Sequence, residues 1–595
     1  MKKTLLCLAL SSSLLGCATT TSAPQSAMAT SQVAPQQQFQ ALVNDFIPAF
    51  WQQFPTWGLY VGYTRYAGEL VIPTPAARQQ ELAFAKHWQD KLHSLDFEAL
   101  SPASKIDYLL IQNQLGSIVF DVTELKSWQW DPSQYNIAGA IAELGASKAI
   151  SEPDALNAIS ARLEKAPAYY QAARQNIERP TLEHTQLAIV QNQGAFSVIN
   201  DALLSRADAS ALSAADKARF HANYQAARSA INSQIDWLKA LAAKLEKDGN
   251  ARSFRLGKAL YEQKFAFDIQ SGLTAKELYD KAQADKAKVL GEMNRITDSL
   301  WSKYFPGEPR LAGNAGVKKL IDKLSANHVK RDAFVDAVKA QIPTLEAFVN
   351  QHQLLTLDPN KPLVVRETPE YMRGVAGASV SAPGPYDKGG NTYYNVTPLD
   401  GMSDAQAESY LREYNHWVLQ VLNIHEAIPG HYAQLVYSNQ SPSLVKSLFG
   451  NGAMVEGWAV YAERMMLEAG YGNNEPEMWL MYYKWNLRTI CNTILDYSVH
   501  VLGMNRDQAL ELLMNQAFQQ QAEAEGKWRR VTLSQVQLTS YYAGFREIYD
   551  FRDAQKKALG AGFNLKDFNE RFLSYGSAPV RYIKALMSGE KIEPQ

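Results

Sequence analysis

The sequence predicts a mainly α-helical protein with one small β-sheet set into it, and three observations carry that prediction. Apolar residues recur at intervals of three and four over most of the chain. Between Leu354 and Leu399 that period gives way to β-prone runs and clustered Gly and Pro. Helical patterning then resumes, from Ser403 to the C-terminus.

The chain has 595 residues, a length compatible with one very large core or several ordinary ones. A formal net charge of -1 supplies no global field for nucleic acid or an anionic membrane surface. At the N-terminus, Lys2 and Lys3 precede the apolar run Leu5–Leu10, and the segment closes on Leu14, Leu15, Gly16 and Cys17. That layout describes an export signal, too short to span a bilayer as a helix. Its end resembles a bacterial lipobox, so residues 1–17 are expected to be a lipoprotein signal peptide and Cys17 the lipidated residue. Ala18 follows the Cys where an Asp would retain the protein at the inner membrane. By that resemblance the anchor belongs on the periplasmic face of the outer membrane. Residues 18–38 are Thr, Ser, Ala, Pro and Gln with almost no charge, the composition of a flexible linker. Of the three cysteines, only Cys491 remains once Cys7 and Cys17 are assigned to the leader and the anchor. It lies among apolar residues, as a core thiol does, and internal disulfides are excluded.

Residues 39–353 read as a helical scaffold lobe. Leu82, Ala85, Trp88, Leu92 and Leu95 form one apolar stripe, and Ile231, Ile235, Leu238, Leu241 and Leu245 form another. Ser101 before Pro102 marks one helix start, and Thr274 with Glu277 fits a capping box at a second. From Leu354 onward come Leu363, Val364 and Val365, then a Gly- and Pro-rich stretch, then Tyr393, Tyr394, Asn395 and Val396. These predict short strands just upstream of the chain's most distinctive motif.

That motif is His425, Glu426, Ala427, Ile428, Pro429, Gly430 and His431, at the end of an apolar helical run from Trp417 to Ile424. In the usual zinc-peptidase pattern two histidines four apart share a helical face, with a Glu placed to act on water. Here they are six apart, about 240° around a regular helix, so the second should point away. Pro429 and Gly430 offer a repair, because they break the regular ladder and a bulge there could return His431 to the face of His425. The alternative is a plain helix stop flanked by two ordinary histidines. Glu456 weighs against that alternative. It sits on a second apolar helical stretch with Glu463 two turns on, and a buried acid needs a partner. Two His and one Glu around Zn2+ leave one position open, the catalytic arrangement, with Glu463 behind them or at the surface.

The spacing from this heptapeptide to Glu456, Gly457, Trp458, Ala459, Tyr461, Ala462 and Glu463 resembles the bacterial family catalogued as domain of unknown function 885, over about residues 38–591. That family is similar to zincin metallopeptidases of the gluzincin type, whose third ligand is a Glu on a following helix. The resemblance implies a two-lobed, zincin-like helical body with a deep cleft and a small sheet beside the active-site helix, residues 354–595 forming the catalytic lobe. It implies a Zn2+ site held by His425 and Glu456 with Glu426 as general base, and because the six-residue spacing departs from the ordinary zincin motif it leaves open whether His431 is the remaining ligand.

Further residues are candidates by position. Arg488, Asn492, Asp496 and His500 recur every four residues on an otherwise apolar helix and predict a polar stripe lining the cleft. Arg488 is a candidate to bind a peptide carboxylate, His500 to steady an oxyanion, and Asp496 to orient one of them. Tyr542 and Arg546 share a helical face and suit an oxyanion donor and a carboxylate clamp. Tyr394 and Asn395 resemble an edge strand on which a peptide would align. The reading that follows is a zinc peptidase acting on short peptides, tethered by lipid alone. Its rivals are a non-catalytic lipoprotein binding peptides or glycans, and a metal-dependent amidase acting on cell-wall peptides. No nucleic-acid partner is expected, and nothing in the sequence sets an oligomeric state.

Overall fold

A computed structural model of the chain describes residues 34–368, 377–386 and 391–592. Cys17 and the expected leader lie outside the described residues. The first helix, Pro35–Gln53, starts inside the span read as linker, with Pro35 in its first turn. Its buried face of Phe39, Leu42, Val43, Phe46, Ile47, Phe50 and Trp51 explains the early start, since three-and-four spacing gives it a full apolar stripe to bury. Both expected caps form. Ser101 accepts from the amide of Ser104 at the head of the Pro102–Phe120 helix, and Thr274 with Glu277 closes a capping box on Ala275–Tyr304.

Helices dominate, and the apolar residues they bury form two cores. The smaller core joins residues from Leu59 to Ile235, chiefly from the helices Ala138–Ala146, Glu152–Asn176 and Ala214–Asp248. The larger one runs from Phe39 to Trp130 and again from Phe254 to Ile592. It therefore crosses position 354, where two lobes were expected to meet. The division falls around the helices of residues 138–235 instead, because the first helix and the Ala275–Tyr304 helix bury their apolar faces against C-terminal elements. Phe46 and Phe50, for example, lie 6.0 and 5.1 Å from Phe449 between ring centres.

The sheet has three strands in the order β1 (Leu363–Glu367), β3 (Thr392–Val396), β2 (Ala378–Ser381). β1 runs parallel to β3 and β2 antiparallel to it. β3 is thus central, and the reading of Tyr394 and Asn395 as an edge strand is corrected. Both its hydrogen-bonding sides are used, and both residues are fully buried. Asn395 takes up Arg366, the carbonyl of Ser379 and the hydroxyl of Ser381. The Tyr394 hydroxyl donates to Asn423 Oδ1 at 2.8 Å, and Asn423 Nδ2 reaches Gln341 Oε1 at 2.6 Å. Tyr394 therefore ties the sheet to the helix that carries His425.

Candidate metal centre

His425 and Glu426 end the helix His416–Glu426, and His431 begins the next, His431–Asn439. The break is complete, so the bulge expected from Pro429 and Gly430 is replaced by a full stop and restart, with Ile428–Pro429 cis. The Gly430 amide bonds the Ile424 carbonyl at 3.0 Å, and a Cβ at Gly430 would overlap the carbonyl oxygens of Ile424 and His425. Only glycine lets the chain turn that tightly onto the helix end. Trp458 Nε1 donates to the Pro429 carbonyl at 2.9 Å and pins the turn to the helix Gly452–Glu468.

This turn brings the two histidines together. Their rings stand 4.8 Å apart between centres, at 86°. Glu456 Oε2 lies 3.4 Å from His431 Nε2 and 3.8 Å from His425 Nε2. One ligand atom from each of the three residues lies within 4.8 Å of the others. Tetrahedral zinc with bonds of about 2.0–2.2 Å sets its ligands roughly 3.3–3.6 Å apart, so the donor set and its spacing suit such an ion.

The surroundings aim the ligands. His425 Nδ1 meets Glu463 Oε1 at 2.6 Å, and the same oxygen accepts from Trp485 Nε1 at 2.9 Å. With its Nδ1 proton donated to Glu463, His425 turns the Nε2 lone pair toward Glu456, as a carboxylate behind a metal-ligating histidine does. Glu463, two turns beyond Glu456, is fully buried. Its second oxygen has no hydrogen-bond partner among the described residues, nor has the buried Nδ1 of His431. The backbones of Gly457 and Gly544 touch, which seats Gly452–Glu468 against the helix Ser540–Leu559. The glycine beside Tyr542 thus serves a helix contact.

Burial, seconded by the neighbouring His431, lowers the pKa of His425 to about 4. Burial would lower His431 as well, but its hydrogen bond and attraction to Glu456 outweigh that and hold it near 9. Burial likewise opposes ionisation of Glu456, and the pull of His431 prevails, lowering its pKa. Burial raises Glu426 despite the two histidines, which suits a group that must take up a proton and give it back.

Several candidates lie elsewhere. Trp485 and His500 share the helix Pro476–His500, and 15 residues separate them, roughly 22 Å of helix at 1.5 Å per residue. His500 is buried there, with Nε2 on the Val531 carbonyl at 2.9 Å. Asp496 holds the amides of Val536 and Leu538 instead of orienting a catalytic group. Tyr542 gives its hydroxyl to Asp285 at 2.7 Å, and Arg546 pairs with Asp285 and Asp550. One residue back, about 100° around the helix, Tyr541 faces the histidines. Its ring is stacked 6.5 Å from that of His425, and its hydroxyl accepts from Arg530 at 3.1 Å. Of the polar stripe, Arg488 adjoins the centre, its guanidinium 4.8 Å over the Trp485 ring. Cys491 is a buried free thiol. Tyr541, Arg530 and Lys527 escaped sequence reasoning. Arg530 and Lys527 sit in a segment, Gln521–Leu533, whose charges read as an ordinary solvated face.

Fold and site together define a helical protein with a His, His, Glu constellation, His425 buried and His431 and Glu456 half-buried, fit for a metal ion. The chain belongs to the family described as "Bacterial protein of unknown function (DUF885)", which matches residues 55–587. A provisionally described lipoprotein of unknown function from Shewanella oneidensis shares 62% identity, covering 92% of this chain and 99% of that one at a TM-score of 0.84. A second such lipoprotein, from Colwellia psychrerythraea, has the same fold at 16% identity, covering 94% and 99% of the two chains with a TM-score of 0.77. The M32 carboxypeptidase from Deinococcus radiodurans R1 matches at 12% identity over 94% and 96% with a TM-score of 0.36, too low to show a shared fold. No curated protein matches.

Proposed function

We propose that this protein is a zinc-dependent peptidase acting on short peptides. The observation that carries the reading is the convergence of His425, His431 and Glu456 beside a half-buried Glu426 whose carboxylate makes no hydrogen bond to the described residues. When bound, zinc supplies Lewis acidity, polarising a carbonyl and acidifying water. The chain's own groups do the rest. His425 would present its Nε2 lone pair, its tautomer fixed by Glu463, and His431 would do so once a bound ion displaces the proton that Glu456 holds on it. Glu426 takes a proton from the attacking water and delivers it to the leaving amine. Tyr541 is placed to donate to the developing oxyanion, the part first assigned to His500 and Tyr542. A cavity of about 460 Å³, within the size range of ligand sites, reaches Glu456 and is lined by Val61, Pro383, Leu435 and Val455 among others.

We also infer a lipid anchor at Cys17 and a place on the periplasmic face of the outer membrane. The lipobox-like end of the leader and the lipoprotein description of the 62%-identical relative support this. No helix among the described residues is long and apolar enough to cross a membrane.

Glu426→Gln is the test. The variant keeps its metal, measured by elemental analysis, and loses at least about 100-fold in hydrolysis of a short-peptide library followed by mass spectrometry. A Gln variant as active as the parent chain overturns the assignment.

A further inference from the structure

The peptidase reading leaves open which part of a peptide the site recognises, and a group of cations beside the metal centre, Lys527 buried and Arg488 and Arg530 half-buried, bears on that. Lys527 is 3% exposed, donates no hydrogen bond to a described residue, and approaches a carboxylate, that of Glu523, only at 4.0 Å. Arg488 also pairs with Glu523, at 2.6 Å, and touches the Tyr414 hydroxyl at 3.4 Å. Arg530 is held by two neutral acceptors, Gln537 and Tyr541. The other acid nearby, Glu413, is already engaged by Lys484 at 2.5 Å and by the amide of Gln520. Lys527 is thus left without a close carboxylate, and burial holds its pKa well below the usual lysine value, whereas Arg488 also feels Glu463 and Arg530 also feels Glu456. Burying unbalanced charge is expensive, and a site that does so gains when an anion enters.

The group borders the catalytic residues directly. Arg488 lies over Trp485, whose ring is 6.5 Å from that of His425, and Arg530 holds Tyr541, whose ring is stacked 6.5 Å from the same histidine. The surroundings of the metal ligands are thus lopsided. The cavity of about 460 Å³ that reaches Glu456 is largely apolar, and Asp268, its other acid, is paired with Lys264 at 2.6 Å. The cations lie in a wall closed by buried side chains, Lys527 and Lys484 among them. A peptide bound at the centre would thus have both an apolar cavity and these cations within its surroundings.

We propose that Arg488, Lys527 and Arg530 form a subsite for the free C-terminal carboxylate of the substrate, so that the protein trims peptides from their C-termini. A carboxylate there accepts charge-assisted hydrogen bonds from Lys527 and the guanidinium groups and balances the excess charge. The proposal rests on the peptidase reading and goes beyond it, since the same metal chemistry would serve an endopeptidase or an aminopeptidase.

The experiment compares N-acetyl-tetra-alanine with its C-terminal amide on the zinc-loaded full chain. The acid is expected to exceed the amide in kcat/KM by roughly 100-fold or more, because a site built around an ionic contact rejects the analogue lacking it. Lys527→Met is expected to cut that preference about tenfold, mainly through KM, at equal zinc content, and Lys527→Arg to restore it. Equal cleavage of acid and amide overturns the subsite while leaving the peptidase standing. Equilibrium binding to zinc-loaded Glu426→Gln separates the other case. A preference for the acid in binding, with no hydrolysis of either peptide by the parent chain, keeps the subsite and overturns the peptidase. No preference in binding or in cleavage overturns the subsite.

Discussion

Glu463 makes a ligand out of a histidine. It is the buried acceptor that fixes which nitrogen of His425 carries the proton, and Trp485 holds it in place. Carboxylates in this position typically tune metal affinity 10–100-fold, so Glu463→Gln is expected to weaken zinc binding by about that factor while leaving the fold intact, as a chelator competition would measure. Unchanged affinity would remove Glu463 from the site. Asp496 illustrates a different use of a buried acid. Burial raises its pKa to about 7, against hydrogen bonds from Val536, Leu538 and Tyr261 that lower it. A carboxyl more easily protonated in the folded chain than in the unfolded one binds extra protons between about pH 4 and 7. Stability therefore falls as pH rises through that window, by at most a few kcal/mol. Asp496→Asn is neutral throughout and should flatten the fall, visible as a smaller loss of thermal midpoint between pH 5 and 8 than in the parent chain.

At the scale of elements, the centre depends on how closely two helices approach. Gly452–Glu468 carries Glu456 and Glu463, Ser540–Leu559 carries Tyr541, and the touching backbones of Gly457 and Gly544 set their separation. A methyl at Gly457 has no room, so Gly457→Ala must push the helices apart. Overpacking of this kind costs about 1–3 kcal/mol or more, and it displaces a ligand and the phenol at once. Both thermal midpoint and zinc content should drop together. Retained zinc at a lowered midpoint would show that the contact is structural only. The turn at Pro429 and Gly430 works similarly, and the sequence signalled it more plainly. The Pro-Gly pair announced a helix break, but whether the chain beyond it would bring His431 back depended on Trp458 and on the room above the Ile424 carbonyl.

The whole molecule is organised around a core that ignores the order of the chain. N-terminal Phe46 and Phe50 pack on Phe449, Asn451 reaches the Ile269 carbonyl at 3.0 Å, and the amide of Gly257 donates to the His500 carbonyl at 3.0 Å. A fragment of residues 354–595 would expose all of these faces to water. It is expected not to fold alone, giving no near-ultraviolet dichroism and no cooperative melt. A cooperative transition in that fragment would restore the boundary at 354.

Much of this protein is written in local patterns. The helical class, the small sheet upstream of His425, the caps at Ser101 and Thr274, and the pairing of Glu456 with Glu463 on one helical face all follow from spacing, which acts over a few residues. The sequence also singled out His425, His431 and Glu456 together, because a buried acid near two histidines is costly without a shared partner. What it could not decide was which face of a distant helix meets the site. A shift of one position, about 100°, separates Tyr541 at the centre from Tyr542 on Asp285, and both readings satisfy the same apolar period. His500 shares a stripe with Arg488 yet lies three turns beyond it, in a different part of the core. Periodicity reports that a residue is turned inward, but only the packing of the folded chain decides what it faces.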